Sequence, residues 1–398
     1  MARDTSTSIM PRGFNEGIIN QQWATRPADQ RFLSLEELRT FVDGRTQELT
    51  EPVAKFGQLS TIVAGSGATA HPALMSKRGM PVDFTHHSFG QLCSMIGAPA
   101  SHLRKRSADL VARYLNECAD AASDGTSKLL LLPPAVRYAG GNPADGPDYD
   151  AGQVRAFTSE TYGRIWDLDV VDSVIRVNED GRWQVPASSY AAHDPKRATT
   201  LYAADSNVFI AMVDPEHPIE VGVTATGEPD VMYRGFIAWN SEVGDRTFGL
   251  CTFLYRYICD NRLIWGASDV SQLLIRHTKN GPYRFEREAV PVLQQYAESS
   301  PLQLQHEIMS AKTEYLIDRT NGINSEDNVS EFRGWLKTRG FSERAIDFTV
   351  DHVIEADQGF TLWETVQGLT AYAHNIAYAD ARIDLERKAS ALLEMVRG

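Results

Sequence analysis

The chain has 398 residues, 42% of them hydrophobic and 23% charged, which is ordinary globular composition with material for a sizeable core. A net charge of −13 argues against a surface that coats nucleic acid all over, because phosphate repels it, but leaves room for a local basic groove. The longest apolar run, Leu129 to Leu132, is far below the ~18 residues of a membrane span, so no membrane partner is expected.

Residues 1–31 are polar and aperiodic and read as a flexible arm. They lack the apolar core of a signal peptide, so export is not expected. Cys93, Cys118, Cys251 and Cys259 are widely spread and form no Cys-x-x-Cys pair. Free thiols in a reducing, cytoplasmic compartment fit that usage. The ordered part opens near Ser34, a helix N-cap with Glu37 three residues on, as in a capping box. A loop carrying Gly65, Gly67 and Pro72 follows. Residues 88–122 show helical spacing, with Phe89, Leu92, Cys93 and Ile96 on one face, a break at Gly97-Ala98-Pro99, and Leu110, Val111, Tyr114, Leu115 and Cys118 inward beyond it. Residues 139–152 are rich in Gly, Pro, Asn and Asp and read as a linker.

Beyond the linker the chain turns β-rich. Strands are expected at 154–157, 208–213, 231–240, 247–259 and 273–278, in runs of Val, Ile, Phe, Tyr and Trp bounded by turn residues. Asn178-Glu-Asp-Gly-Arg182 reads as a hairpin tip. From about Phe285 the pattern is helical again, with a last helix over 362–396. The fold class that follows is α+β: a central, mostly antiparallel sheet flanked by N-terminal and C-terminal helical segments. The divisions are a 1–31 arm, a 32–138 helical region, a 139–152 linker, a 153–284 β-rich core whose strands form one continuous sheet, and a 285–398 helical region.

Enzyme signatures are missing. Gly65-Ser66-Gly67 is followed by no Gly-Lys-Ser/Thr, so there is no P-loop, and Gly-x-Ser-x-Gly, His-Glu-x-x-His and zinc-finger spacings are absent. His71, His86, His87, Cys93 and His102 lie in one stretch without paired metal-ligand spacing, so neither a metal nor a cofactor is expected. The helix, turn and following helix over 88–106 have helix-turn-helix proportions and carry Arg104, Lys105 and Arg106, the best basic cluster found. The bland reading is a packed helix pair with a solvated basic end.

Three β-region runs carry more. Arg155-Ala-Phe-Thr-Ser159 leads to Tyr162 and Asp167. Trp239-Asn-Ser-Glu-Val-Gly244 precedes a long strand holding Tyr255, Arg256 and Tyr257 and ending at Asp260-Asn261. Arg276-His277-Thr278-Lys279 closes the region. Arg155, Arg256, Arg276, His277 and Lys279 could track a phosphate backbone, with Tyr162, Trp239, Tyr255 or Tyr257 as stacking faces, which is the single-strand binding recipe. Alternatively Asn240, Glu242 and Asn261 cap turns and pair with these arginines inside the fold. Arg256 and Arg276 are expected near each other, with Tyr162 or Asn240 close by.

These runs also carry a resemblance. Gln91-Leu-x-x-x-Ile-Gly-Ala-Pro-x-x-x-Leu-Arg-Lys105, Leu115-Asn116, Arg155-Ala-Phe-x-Ser-x-x-Tyr162 with Asp167, Asn240-Ser-Glu-x-Gly244, Arg256-x-x-Cys-x-Asn261 and Arg276-His-Thr278 resemble the phage/plasmid-like proteins, a family built on a domain of unknown function. Thr370, Ala373, Arg382 and Leu385-Glu386 resemble the family's end. The resemblance spans roughly residues 85–395 and implies an accessory protein of a mobile element, without assigning any catalytic residue. Three readings follow. The first is a non-enzymatic nucleic-acid-handling protein, binding or annealing single-stranded DNA in recombination as a homo-oligomer. The second is an interaction protein that blocks a host defence system by binding a host protein. The third is an enzyme centred on Asp167, His277 and Glu242.

Overall fold

The computed structural model describes residues 30–133, 135–138, 147–150, 152–185, 199–223, 227, 229–256, 261–263, 272–317, 325–356, 359–373, 385 and 388–396. Of the expected arm over 1–31, residues 1–29 lie outside them, and its end is not an arm, since Arg31 is buried in a strand. Arg31–Phe32 (β1) leads into the helix Leu35–Thr46 (α1). Ser34 caps α1, its hydroxyl accepting the Glu37 N–H at 3.1 Å, while the Glu37 carboxylate accepts the Leu33 N–H at 2.8 Å.

The region expected to be helical is built first from strands. Val53–Lys55 (β2), Thr61–Ala64 (β3), His71–Met75 (β4) and Pro81–Phe84 (β5) precede three helices, His86–Met95 (α2), Ala100–Leu103 (α3) and Ala108–Ala121 (α4). These strands are short and interrupted by Gly and Pro, which hides their alternation. In α4 the buried residues Val111, Ala112, Leu115 and Ala119 recur at helical spacing. Thr126–Leu132 (β6) follows, then Ala135–Tyr138 (β7), which forms a hairpin with Pro147–Asp150 (β8), so the end of the expected linker is a strand. Gly152–Thr158 (β9) then enters the sheet of the preceding strands, in the order β2-β6-β9-β5-β4-β3, with β5 and β9 parallel.

The expectation of one sheet over 153–280 is therefore corrected. β9 belongs to the first sheet, and a helix, Asp167–Val177 (α5), separates it from the second. The α5 segment is rich in β-branched Val, which favours strand locally. Burial of Val170, Val171 and Val174 on one face, with Asp167 and Asp169 in the first turn, decides for helix. Asn178–Arg182 is not a hairpin tip but the turn that ends α5, where Asn178 Oδ1 accepts the Trp183 N–H at 2.7 Å.

Leu201–Ala203 (β10), Val208–Val213 (β11), Ile219–Val223 (β12), Pro229–Asn240 (β13), Phe248–Arg256 (β14), Asn261–Leu263 (β15) and Gln272–Ile275 (β16) complete the second sheet. It is antiparallel throughout and runs β1-β10-β11-β13-β14-β15, with β12 also on β13 and β16 also on β14. Helical segments follow: Gly281–Arg284 (α6), a π-turn over Phe285–Ala289, Val290–Glu298 (α7), Pro301–Thr313 (α8), Glu326–Thr338 (α9), Glu343–Ala356 (α10) and Leu362–Ala373 (α11). The chain is α+β, as its patterning implies.

The three largest hydrophobic clusters among the described residues divide the work. Phe89, Leu92, Leu115 and Phe157 fasten α2 and α4 to the first sheet. Leu38, Val170, Phe236, Leu250 and Leu293 fasten α1, α5 and α7 to one face of the second. Phe332, Ile346, Trp363 and Leu369 join the C-terminal helices to Ile219, Met232 and Leu254. Among the described residues no helix is long and apolar enough to cross a membrane, and Cys93 and Cys118 are free thiols; Cys259 lies outside them.

Trp239 and Gly249 face each other across β13 and β14. A Cβ on Gly249 would meet the indole at 1.9 Å, so the glycine is there to admit the ring. Gly249→Ala is expected to cost about 1–3 kcal/mol by overpacking, read by chemical denaturation. An unchanged midpoint would show that the indole is free to move aside.

Candidate functional site

The sheets meet at a seam built from the C-terminal end of β13, the loop over 241–246, the segment after β9 and the start of α5. Two carboxylates, Asp167 and Glu242, are fully buried there. Glu242 Oε1 accepts from Arg155 Nη1 on β9 at 2.5 Å, and Glu242 Oε2 accepts the Asp167 N–H at 3.2 Å. Asp167 Oδ2 accepts from Arg45 Nη2 at the end of α1 at 2.5 Å, and Asp167 Oδ1 from Asn240 Nδ2 at 2.7 Å. Arg164 donates to the Glu242 carbonyl and, at 2.7 Å, to Glu51. Each buried charge thus meets an opposite one, the condition for tolerating it away from water.

The two carboxyls titrate apart. Burial and the neighbouring Glu242 charge push Asp167 up to about 7, against the pull of Arg45 and Arg155. Burial also pushes Glu242 upward, but Arg155 and Arg45 outweigh it and hold that carboxyl below its usual range.

Around this network lie the other residues singled out in the sequence. The Tyr162 hydroxyl donates to Ser241 O at 3.2 Å, and its ring stacks on His277 with centroids 5.1 Å apart. Burial pushes the Tyr162 hydroxyl well above its ordinary range. His277 Nδ1 accepts the Ile165 N–H at 3.3 Å. Gln91 Nε2 donates to Val243 O at 2.8 Å, while its oxygen accepts the Phe157 N–H at 2.9 Å. His87 Nε2 donates to the same Val243 carbonyl at 3.2 Å. Gly163 packs so closely on the segment after β16 that a Cβ would meet Thr278 O at 2.0 Å.

Several expectations change here. Arg155 is 5% exposed and committed to Glu242 and the Asp205 carbonyl, so it presents no face to a phosphate. Trp239 is buried against Gly249 and offers no stacking face. His277 is no cation at neutral pH, because burial pushes its imidazole down to about 4. Arg256 and Arg276 are not neighbours. Arg256 pairs with Asn261 at one end of the nine-residue β14, whereas Ile275, the residue before Arg276, pairs with Phe248 at the other. At ~3.4 Å per residue that is roughly 27 Å. The side chains of Tyr255 and Arg256, and all of Tyr257, lie outside the described residues.

The helix-turn-helix expectation is also corrected. The second helix, α3, has four residues, too short for a recognition helix, and Arg104, Lys105 and Arg106 follow it. Arg104 donates to His86 O at 2.7 Å and lies over the Phe89 ring, Arg106 donates to His102, and Lys105 is exposed. Arg276 and Lys279 are exposed too.

The sequence reading missed Arg45 and Arg164. Arg45 sits in a helix that reads as ordinary and amphipathic; Arg164 lies two residues after Tyr162 and was the more findable. A second buried pair, Arg234 with Asp214 at 3.2 Å, was missed as well. Among the described residues no three His, Cys, Asp or Glu side chains stand close enough to hold a metal ion.

No protein-family model, curated protein or solved structure matches the chain. Residues from several separate runs meet in space. Gln91, Arg155, Tyr162, Asp167, Asn240, Glu242 and His277 all contribute to this seam.

Glu242→Ala leaves Arg155 buried without its carboxylate and is expected to cost about 3–5 kcal/mol, measured by denaturant unfolding. A loss under about 1 kcal/mol would show that the network is not a structural joint. The pH dependence has a definite sign. Folded Asp167 holds its proton up to about pH 7, whereas its ordinary value is 3.8, so the folded state binds the extra proton between these limits. Stability from this group is therefore greatest at the acid end and falls as pH rises to about 7. Relative to Asp167→Asn, the wild-type protein should lose stability across that interval; parallel curves would contradict the assignment.

Proposed function

We propose that the protein is a non-enzymatic, nucleic-acid-handling component of a phage or plasmid, which holds a phosphate backbone along the outer rim of the seam. One observation carries this reading. Two cationic runs far apart in sequence border the same loop over 241–246. Arg104 reaches the His86 carbonyl, and the next residue, His87, contacts Val243. The Arg276–Lys279 run lies against Tyr162 and Gly163, and Tyr162 bonds to Ser241. Lys105, Arg276 and Lys279 are exposed on this rim.

The overall charge of −13 leaves room for such a rim, and part of the acid is exposed on other elements. Glu326, Asp327, Glu331, Glu343, Asp347, Asp351 and Glu355 are exposed on α9 and α10. Backbone binding needs local cations, not a basic protein. Annealing of strands needs no nucleotide hydrolysis, in keeping with a sequence that has no P-loop. The acidic face of α9 and α10 favours a second reading, docking of a basic host protein. An enzyme centred on Asp167, Glu242 and His277 finds less support: the three lie near one another, but both carboxylates are fully buried and already paired.

The test is fluorescence anisotropy with labelled oligonucleotides over a range of salt. Wild-type binding should weaken steeply as salt rises. Combining Lys105→Glu, Arg276→Glu and Lys279→Glu should lower affinity by tenfold or more and reduce the salt slope by about 2, without moving the melting temperature. Wild-type affinity in that variant, or no binding by the wild-type protein at low salt, would contradict the proposal.

A further inference from the structure

The helical run that starts two residues after Lys279 is irregular. It is α-helical over Gly281–Arg284, widens to a π-turn over Phe285–Ala289, and resumes over Val290–Glu298. The cause is in the sequence: Pro291 has no N–H to donate to the carbonyl four residues back, that of Arg287. Such π-turns recur at functional positions because they redirect side chains. Here Phe285 goes inward, its ring edge-on to Phe248 at 4.9 Å and 5% exposed. Tyr283, two residues earlier, points out and is 63% exposed.

An aromatic ring that exposed contributes little to the fold. It also has polar company. The Arg287 guanidinium lies over the ring, 5.7 Å from its centroid. Arg284 is held by Glu288 at 2.6 Å; Arg287, Lys279 and Arg276 are exposed cations of the same stretch of chain, as is the carboxylate of Glu286 an exposed anion. The run also borders the seam, since a Cβ on Gly163 would meet Pro282 at 2.9 Å and one on Gly281 would meet Arg276 O at 2.8 Å.

We propose that Tyr283 is a base-stacking platform for a single-stranded nucleic acid, with Arg287 bracing the ring and Arg276 and Lys279 holding the adjoining phosphates. This rests on the nucleic-acid reading above and adds to it a site and a strandedness. The chemistry is selective: an unpaired base offers a free face to an aromatic ring, whereas bases in a duplex are already stacked on each other. An apolar peptide would gain from the ring but not from the surrounding cations, and an acidic peptide would gain from the cations but has no base to lay on it.

The experiment compares wild-type protein, Tyr283→Ala and Tyr283→Phe. The probes are labelled oligo-dT, labelled oligo-rU and a DNA duplex of equal length. Tyr283→Ala should bind the single strands about tenfold more weakly and the duplex as wild type does. Tyr283→Phe, which keeps the ring, should retain single-strand affinity. The dT and rU arms separate a DNA ligand from an RNA one. Wild-type single-strand affinity in Tyr283→Ala, or equal losses on strand and duplex, would overturn the stacking site while leaving the cationic rim standing. Absence of binding by the wild-type protein to all three probes would overturn the rim itself, and this site with it. The ring is exposed, so its removal opens no cavity, and an unchanged melting curve for Tyr283→Ala checks that any loss is one of contact.

Discussion

The arrangement depends on Glu242. Its carboxylate, fully buried, accepts from Arg155 of the first sheet and from the backbone that opens α5, while it is itself carried at the end of β13 in the second sheet. The Asp167 carboxylate, Arg164 just before it and Arg45 from α1 close the network. Desolvating two carboxylates and their arginines is expensive, and an apolar joint could hold two layers as firmly. What ions add is direction: each hydrogen bond fixes an angle as well as a distance. The two sheets, built from different stretches of chain, are thereby set at one register, and the loop over 241–246 is held where α2, Tyr162 and the segment after β16 converge on it.

That convergence gives the outer surface its character. Arg45, Arg155 and Arg164 are turned inward and committed to Asp167, Glu242 and Glu51, so none of the three is left for a ligand. Lys105, Arg276, Lys279 and Arg287 remain outside, on segments fixed by the buried network or by the π-turn. These cations are exposed although the chain as a whole carries an excess of acid. Buried and exposed arginines in the same runs do different work: Arg155 joins layers and Arg276 faces solvent.

The architecture was legible in part from the sequence. The long strands β13 and β14 announce themselves through Val, Ile, Phe, Tyr and Trp, and Ser34 with Glu37 announces α1. The strands over 53–84 did not, because three to five residues cut by Gly and Pro carry too little alternation. The Val-rich α5 drew no helix assignment because its local preference opposes its tertiary setting. At the seam, the sequence offered both fates for Arg155, a groove or an internal pair, and could not choose, since the choice turns on Glu242 arriving from a distant strand. Arg256 and Arg276 looked like neighbours because both adjoin β14; only the register shows them at opposite ends. Tyr283 was not singled out because an exposed aromatic on a short helical turn carries no signal in the sequence pattern.

The most direct test of a structural seam with a ligand-binding rim is amide hydrogen exchange, read by mass spectrometry with and without a saturating oligo-dT strand. In the free protein, peptides over β9, the start of α5 and the end of β13 should exchange slowest, as parts of one buried joint. On adding the strand, new protection should appear over 276–290 and around 104–106, with α9 and α10 unchanged. Protection confined to α9 and α10, or rapid exchange across the seam in the free protein, would contradict the account.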